Sequence, residues 1–134
     1  MARNLLLVFS NPVDGREEEF NDWYTNHHLD EILAIDGFVL AQRFRLVNAR
    51  MTRDAPDAPY RYLAIYEVAD GALELADSAL YELARRERAE ALAAGRTPKL
   101  QMSPAMDTDL WTWWYESIRD VVRVPDQSEQ HSQG

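Results

Sequence analysis

The sequence predicts an α+β fold of order β-α-β-β-α-β, and three observations predict it. Four segments, opening near residues 4, 38, 60 and 108, alternate their side chains with the two-residue period of a strand. Two others, opening at Arg16 and Gly71, repeat apolar residues at helical spacing. Turn-forming clusters lie between them. That order is the split βαβ plan, a four-stranded antiparallel sheet with two main helices on one face.

The first segment, 4–10, sets Leu5, Leu7 and Phe9 on one side and Leu6 and Val8 on the other, as a strand covered on both faces would. Asn11, Pro12, Asp14 and Gly15 then form a turn. From Arg16 the period changes: Phe20, Trp23, Tyr24 and His27 fall at i, i+3, i+4 and i+7, and Glu17, Glu18 and Glu19 occupy the first turn, where the helix dipole favours acids. At about 100° per residue, Leu29, Ile32 and Leu33 drift round the cylinder from Phe20, so a kink or a second short helix is expected past His28.

Gly37 restarts the chain as a strand over 38–47. Its alternation sets Phe38, Leu40, Gln42, Phe44 and Leu46 on one face and Val39, Ala41, Arg43 and Arg45 on the other. Residues 48–59 hold two prolines and little periodicity, an exposed loop long enough to act as a lid. The strand 60–68 sets Tyr60, Tyr62 and Tyr66 on one face. A longer helix spans 71–94, closed by Gly95 at C′ with Pro98 beyond. The last strand, 108–118, carries Trp111, Trp113 and Tyr115 on one face and Leu110, Thr112 and Trp114 on the other. One domain over 1–123 and a polar, disordered tail over 124–134 are expected. The sheet face away from the helices would carry more Phe, Tyr and Trp than a monomer leaves in water, and pairing two sheets face to face, as a homodimer, covers it.

Composition narrows the function. The net charge of −9 argues against a nucleic-acid partner, because phosphate binding draws on clustered Lys and Arg. The absence of cysteine excludes disulfides, thiolate metal sites and a cysteine nucleophile, and suits a cytoplasmic location. No apolar run approaches the ~20 residues of a membrane helix, and no secretory leader pattern follows Arg3. No Gly-rich phosphate loop or nucleophile elbow is present.

Chemistry concentrates in residues 20–31. His27 and His28 point about 100° apart on a helix and cannot share one metal ion, so no metal or other cofactor is expected. An imidazole that titrates near neutrality suits general acid–base work instead. His28 at the kink is the expected base, facing a pocket between helix and sheet, while His27 on the apolar stripe packs or donates a hydrogen bond within the core. Tyr24, Asn26 or Arg43 would orient the substrate or stabilise an enolate-like oxygen. The alternative for Arg43 and Arg45 is pairing with acids such as Glu67. Tyr62 and Tyr66 are phenolic donors or ordinary core aromatics, and Trp111, Trp113 and Trp114 suit a stacked ligand or a dimer interface equally.

The run from Asn11 to Leu46, with Trp23-Tyr24, then His27-His28, then Gly37-Phe38 leading into a strand with Arg43, resembles the EthD-like branch of the dimeric α+β barrel superfamily, whose fold is ferredoxin-like. The likeness covers about the first third of the chain well; Asp30 stands where relatives often carry proline. The resemblance implies a small hydrophobic cavity between sheet and helices, cofactor-free acid–base or oxygen chemistry, and a first-helix histidine at its centre.

The expected function is therefore a cofactor-independent acid–base enzyme, a lyase, dehydratase or isomerase, acting on a small hydrophobic carbonyl or phenolic compound. His28, Tyr24 and Arg43 are the expected catalytic residues. Trp23, Asn26, His27, Gln42, Tyr62, Tyr66 and Trp113 are the expected substrate contacts. Two alternatives stand beside it: a cofactor-free monooxygenase of aromatic or polyketide-like substrates, and a non-enzymatic dimeric protein that binds a hydrophobic metabolite.

Overall fold

A computed structural model of the chain describes residues 2–126. From residue 127 on, the expected tail lies outside the described residues. The strands are β1 (Asn4–Ser10), β2 (Phe38–Arg45), β3 (Tyr62–Val68) and β4 (Trp111–Glu116). They form one antiparallel sheet in the order β2-β3-β1-β4. The observed order along the chain is β-α-β-β-α-β, the ferredoxin-like plan.

Both helices contain a π turn. The first runs as α1 (Glu17–Trp23), a π turn at Tyr24–His28 and α2 (Leu29–Leu33). The second runs as α3 (Leu73–Tyr81), a π turn at Glu82–Glu87 and α4 (Arg88–Ala93). The first π turn replaces the expected kink. Phe20, Tyr24, His28 and Ile32 are all buried, at a constant spacing of four residues. In an unbroken α-helix three such steps would drift by about 120°, and a wider turn takes the drift back. It also moves the inward position from i+7 to i+8 after Phe20, so His28 is buried and His27 is exposed, contrary to the expectation that His27 packs in the core.

A register shift between Phe38 and Leu40 corrects the reading of β2. Strict alternation would put Phe38 beside Leu40 and Gln42. Because of the bulge, Phe38 pairs with Val68, Ala41 with Tyr66 and Arg43 with Ala64, all under the helices, while Leu40, Gln42 and Phe44 turn to the open face. Tyr60 falls short of β3 and packs on Phe9 and Trp111, leaving Tyr62 and Tyr66 as the buried tyrosines of that strand.

The core lies between sheet and helices, centred on Phe20, Tyr24, Ile32, Tyr62, Tyr66 and Val68. Gly37 permits the close approach of the β2 turn to α3: its φ is +96°, and a Cβ there would stand 2.9 Å from the Cβ of Ala76. Gly95, at φ +71°, closes the second helix, with the Arg96 amide donating back to the Ala91 carbonyl at 2.9 Å. On the far side of the sheet Leu40, Phe44, Trp111, Trp113 and Tyr115 are all exposed, as alternation in β2 and β4 requires.

Candidate functional site

A cavity of about 940 Å³ lies between the sheet and the second helix and reaches the first helix at its π turn. Leu6, Val8, Leu80, Leu100, Met102 and Leu110 make most of its lining apolar, and Tyr24, His28 and Tyr66 enter it from one side. The sequence brings those three together simply: Tyr24 and His28 are consecutive inward positions of the first helix, and Tyr66 lies at the middle of β3 beneath them.

His28 is 5% exposed. The Trp23 indole stacks on its ring at 4.5 Å and the Tyr24 ring meets it edge-on at 5.0 Å. Glu31 Oε1 stands 3.5 Å from Nδ1 without hydrogen-bond geometry, leaving that nitrogen buried and unpartnered. Burial, and then the positive charge of Arg43, push the imidazole down to about 4, so His28 is neutral at neutral pH and Glu31 is a neighbour rather than an ion-pair partner. The Tyr66 hydroxyl donates to the Tyr24 hydroxyl at 3.3 Å. Burial raises both phenols, keeping them protonated and able to donate.

Arg43 stands behind this group. Its guanidinium carbon lies 4.4 Å from the Tyr24 ring centre, 5.1 Å from that of Tyr62 and 5.3 Å from that of Phe20, and Nη1 donates to Thr25 Oγ1 at 2.9 Å. Its Nε and Nη2 are buried with no partner among the described residues, and burial lowers its own pKa. Glu67, the acid expected to pair with it, instead binds Arg3 at 2.6 Å. Asn21 donates to the Tyr62 hydroxyl at 3.0 Å, and that hydroxyl donates to Glu17.

Of the residues expected at the site, Tyr24, His28 and Tyr66 line the cavity. Trp23 packs on Tyr24 and His28, Arg43 lies over the Tyr24 ring, and Tyr62 meets Arg43 and Phe20; none of the three lines the cavity. Four others lie elsewhere. Asn26 is exposed and donates to Asp22 Oδ1 at 2.7 Å, and His27 is turned outward by the π turn. Gln42 and Trp113 are on the open face, the first because of the bulge and the second by simple alternation. No residue of the 48–59 loop lines the cavity.

The resemblance implies a cavity between sheet and helices, but among the residues expected at the site none belongs to the second helix or to the connector before β4. Asp77, Arg85, Arg88 and Trp114 line the cavity, and Trp114 Nε1 donates to Asp77 Oδ1 at 3.0 Å. A signal was available: Asp77, Ala84, Arg85 and Arg88 share the helical stripe of Leu80, so polar groups fall on the face that should look at the sheet. Among the described residues no group of three or more His, Asp or Glu is placed to hold a metal ion, and no helix is long and apolar enough to cross a membrane.

No protein-family model matches the chain. Over 68 residues it is 38% identical to core atranone cluster (CAC) protein 1 of Stachybotrys chlorohalonatus, a match over 49% of this chain and 26% of that protein, so the chain spans about a quarter of the curated relative's length. A crystal structure of an EthD-family protein from Bacillus halodurans C-125 superposes with a TM-score of 0.51 at 18% identity, covering 88% of this chain and 100% of that one. At that identity the likeness speaks for the fold alone: the chain shares the α+β fold of that structure.

Proposed function

We propose that this chain is a cofactor-independent acid–base enzyme that moves a proton on a small hydrophobic carbonyl or phenolic compound, as a lyase, dehydratase or isomerase does. The observation that carries the reading is the convergence of His28, Tyr24 and Tyr66 on one large, mostly apolar cavity. His28 enters as a neutral imidazole and takes a proton from the carbon next to the carbonyl. The electron pair left behind moves onto the carbonyl oxygen, where the Tyr24 hydroxyl, itself held by Tyr66, donates a hydrogen bond to it. The imidazolium then returns the proton, to another carbon in an isomerisation or to a departing hydroxyl in a dehydration. A base whose conjugate acid lies at about 4 is weak, so the reading favours substrates whose C–H or O–H is already activated, such as 1,3-dicarbonyl or phenolic compounds.

The test is deuterium exchange at the α-carbon of a panel of cyclic ketones with activated hydrogens, 2-tetralone among them, followed by NMR. Wild-type protein is expected to exchange one or more of them above the buffer rate, and His28→Gln to lose at least about 100-fold of that rate. Tyr24→Phe should slow it less. Recovery of bound ketones unexchanged would favour the binding-protein reading.

We also propose that two copies pair through the open faces of their sheets. Trp111, Trp113 and Tyr115 on β4 are each more than half exposed, at 55%, 57% and 55%, and the cross-strand rows run from them through Phe9, Leu7 and Leu5 of β1 and Leu63 and Ile65 of β3 to Phe44 and Leu40 at the opposite edge of the same face. A largely apolar surface of this extent is costly to leave in water.

A further inference from the structure

The second helix brings two arginines to the cavity that proton transfer leaves without a task. Four arginines fall in residues 85–96. Arg86 stands 3.6 Å from Glu82 and 3.5 Å from Glu90, and Arg96 stands 2.6 Å from Glu87, so those two have carboxylate partners. Arg85 and Arg88 line the cavity, and neither has a carboxylate within ion-pair distance among the described residues. Arg88 makes one long bond, 3.4 Å to the Leu100 carbonyl.

The acids of the same cavity are already engaged. Asp77 accepts from the Trp114 indole at 3.0 Å, and Asp107 accepts from the Asp109 amide at 2.9 Å. The stripe Asp77, Leu80, Tyr81, Ala84, Arg85, Arg88 thus begins with an acid bonded to the Trp114 indole and ends with two cations that have no carboxylate partner among the described residues. On a chain of net charge −9, this pair offers an anion a local attraction against a repulsive whole. Arg85 is exposed and Arg88 half-buried, which suits a charged group that keeps one side in water while its apolar body lies inside.

We propose that Arg85 and Arg88 form a carboxylate-binding subsite of the cavity, so that the ligand is an amphiphilic carboxylic acid with its apolar body along Leu80, Met102 and Leu110. The guanidinium fork matches a carboxylate's two oxygens, and a cavity of about 940 Å³ has room for both the head and a bicyclic body. The subsite rests on the reading of this cavity as the ligand site, and not on proton transfer by His28.

Calorimetric titration of the full chain with naphthalene-2-carboxylate and with the neutral naphthalene-2-carboxamide tests it. The acid is expected to bind at least about ten-fold more tightly than the amide, as a charge-assisted pair should, with a preference that shrinks as salt is raised. In the double variant Arg85→Gln, Arg88→Gln the acid should fall to the amide's affinity while the amide is unaffected, and His28→Gln should keep the preference. Equal affinity for acid and amide in the wild type, binding of neither, a preference that survives in the double variant, or tighter binding of naphthalen-2-yl phosphate would each overturn the assignment. The two readings of the cavity separate cleanly: acid preference without ketone exchange removes the proton-transfer role and keeps the subsite, and exchange without acid preference does the reverse.

Discussion

A histidine that is 5% exposed and has no hydrogen-bond partner for one ring nitrogen is costly to charge, and the cost has a measurable sign. The folded-state pKa of His28 is lowered from 6.5 to about 4, so between those values the unfolded chain binds the proton and the folded chain does not. Stability is therefore full above the unfolded value and is lost as pH falls from 6.5 toward 4, by up to about 3 kcal/mol. Denaturant titrations across that window should show the loss in wild-type protein and a correspondingly flatter profile in His28→Gln; parallel profiles would contradict the burial argument. Arg43 supplies the second part of the shift. In Arg43→Gln, an NMR titration should find His28 higher than in the wild type, and an unchanged value would place Arg43 outside the site's electrostatics. The sequence pointed to the 20–31 cluster and to Arg43, since residue types alone carry that information. It did not say that Arg43 lies over the Tyr24 ring, because that depends on which face of β2 turns inward.

At the scale of elements, the inward and outward sides of the first helix and of β2 each hinge on a single extra residue. Periodicity at 3.6 residues per turn placed His27 on the buried stripe, and the π turn hands that place to His28. Strict alternation placed Phe38 with Gln42, and the bulge separates them. Neither departure leaves a distinctive residue in the sequence, whereas the four strands and two helices announce themselves over many residues each. If the π turn is one residue of surplus, deleting the exposed Asn26 should restore the spacing Phe20, Tyr24, i+7, i+11 of a plain α-helix. The deletion variant is expected to stay folded, with a midpoint no lower than wild type, and to keep His28 and Ile32 on the inward stripe with Tyr24, so that any exchange activity stays within about ten-fold of wild type. Unfolding of that variant would show that the turn is needed for the fold itself. Gly37 tests the packing of α3 on the β2 turn: positive φ and a 2.9 Å contact should make Gly37→Ala less stable by about 1–3 kcal/mol, read from the denaturation midpoint.

For the whole molecule, the sheet separates two surfaces. Its covered face, with Leu6, Val8 and Tyr66, makes one wall of the cavity, and its open face presents Trp111, Trp113 and Tyr115. Trp113→Glu places a charge among the exposed aromatics of β4 on the open face, at a residue that does not line the cavity. It should convert a light-scattering mass of two chains into one, and an unaltered mass would remove the sheet face as the pairing surface. The open face was legible as alternating aromatics. The cavity's far wall was not, because nothing in a single helical stripe shows how far the helix stands from the sheet. The central claim remains that His28 transfers a proton inside this cavity, and the pH dependence of α-deuterium exchange, taken where circular dichroism shows the chain folded, tests it most directly. The account predicts a rate that holds from neutral pH down toward 4 before falling, and that disappears in His28→Gln. A fall centred near the ordinary histidine value of 6.5, or an equal rate in His28→Gln, would contradict it.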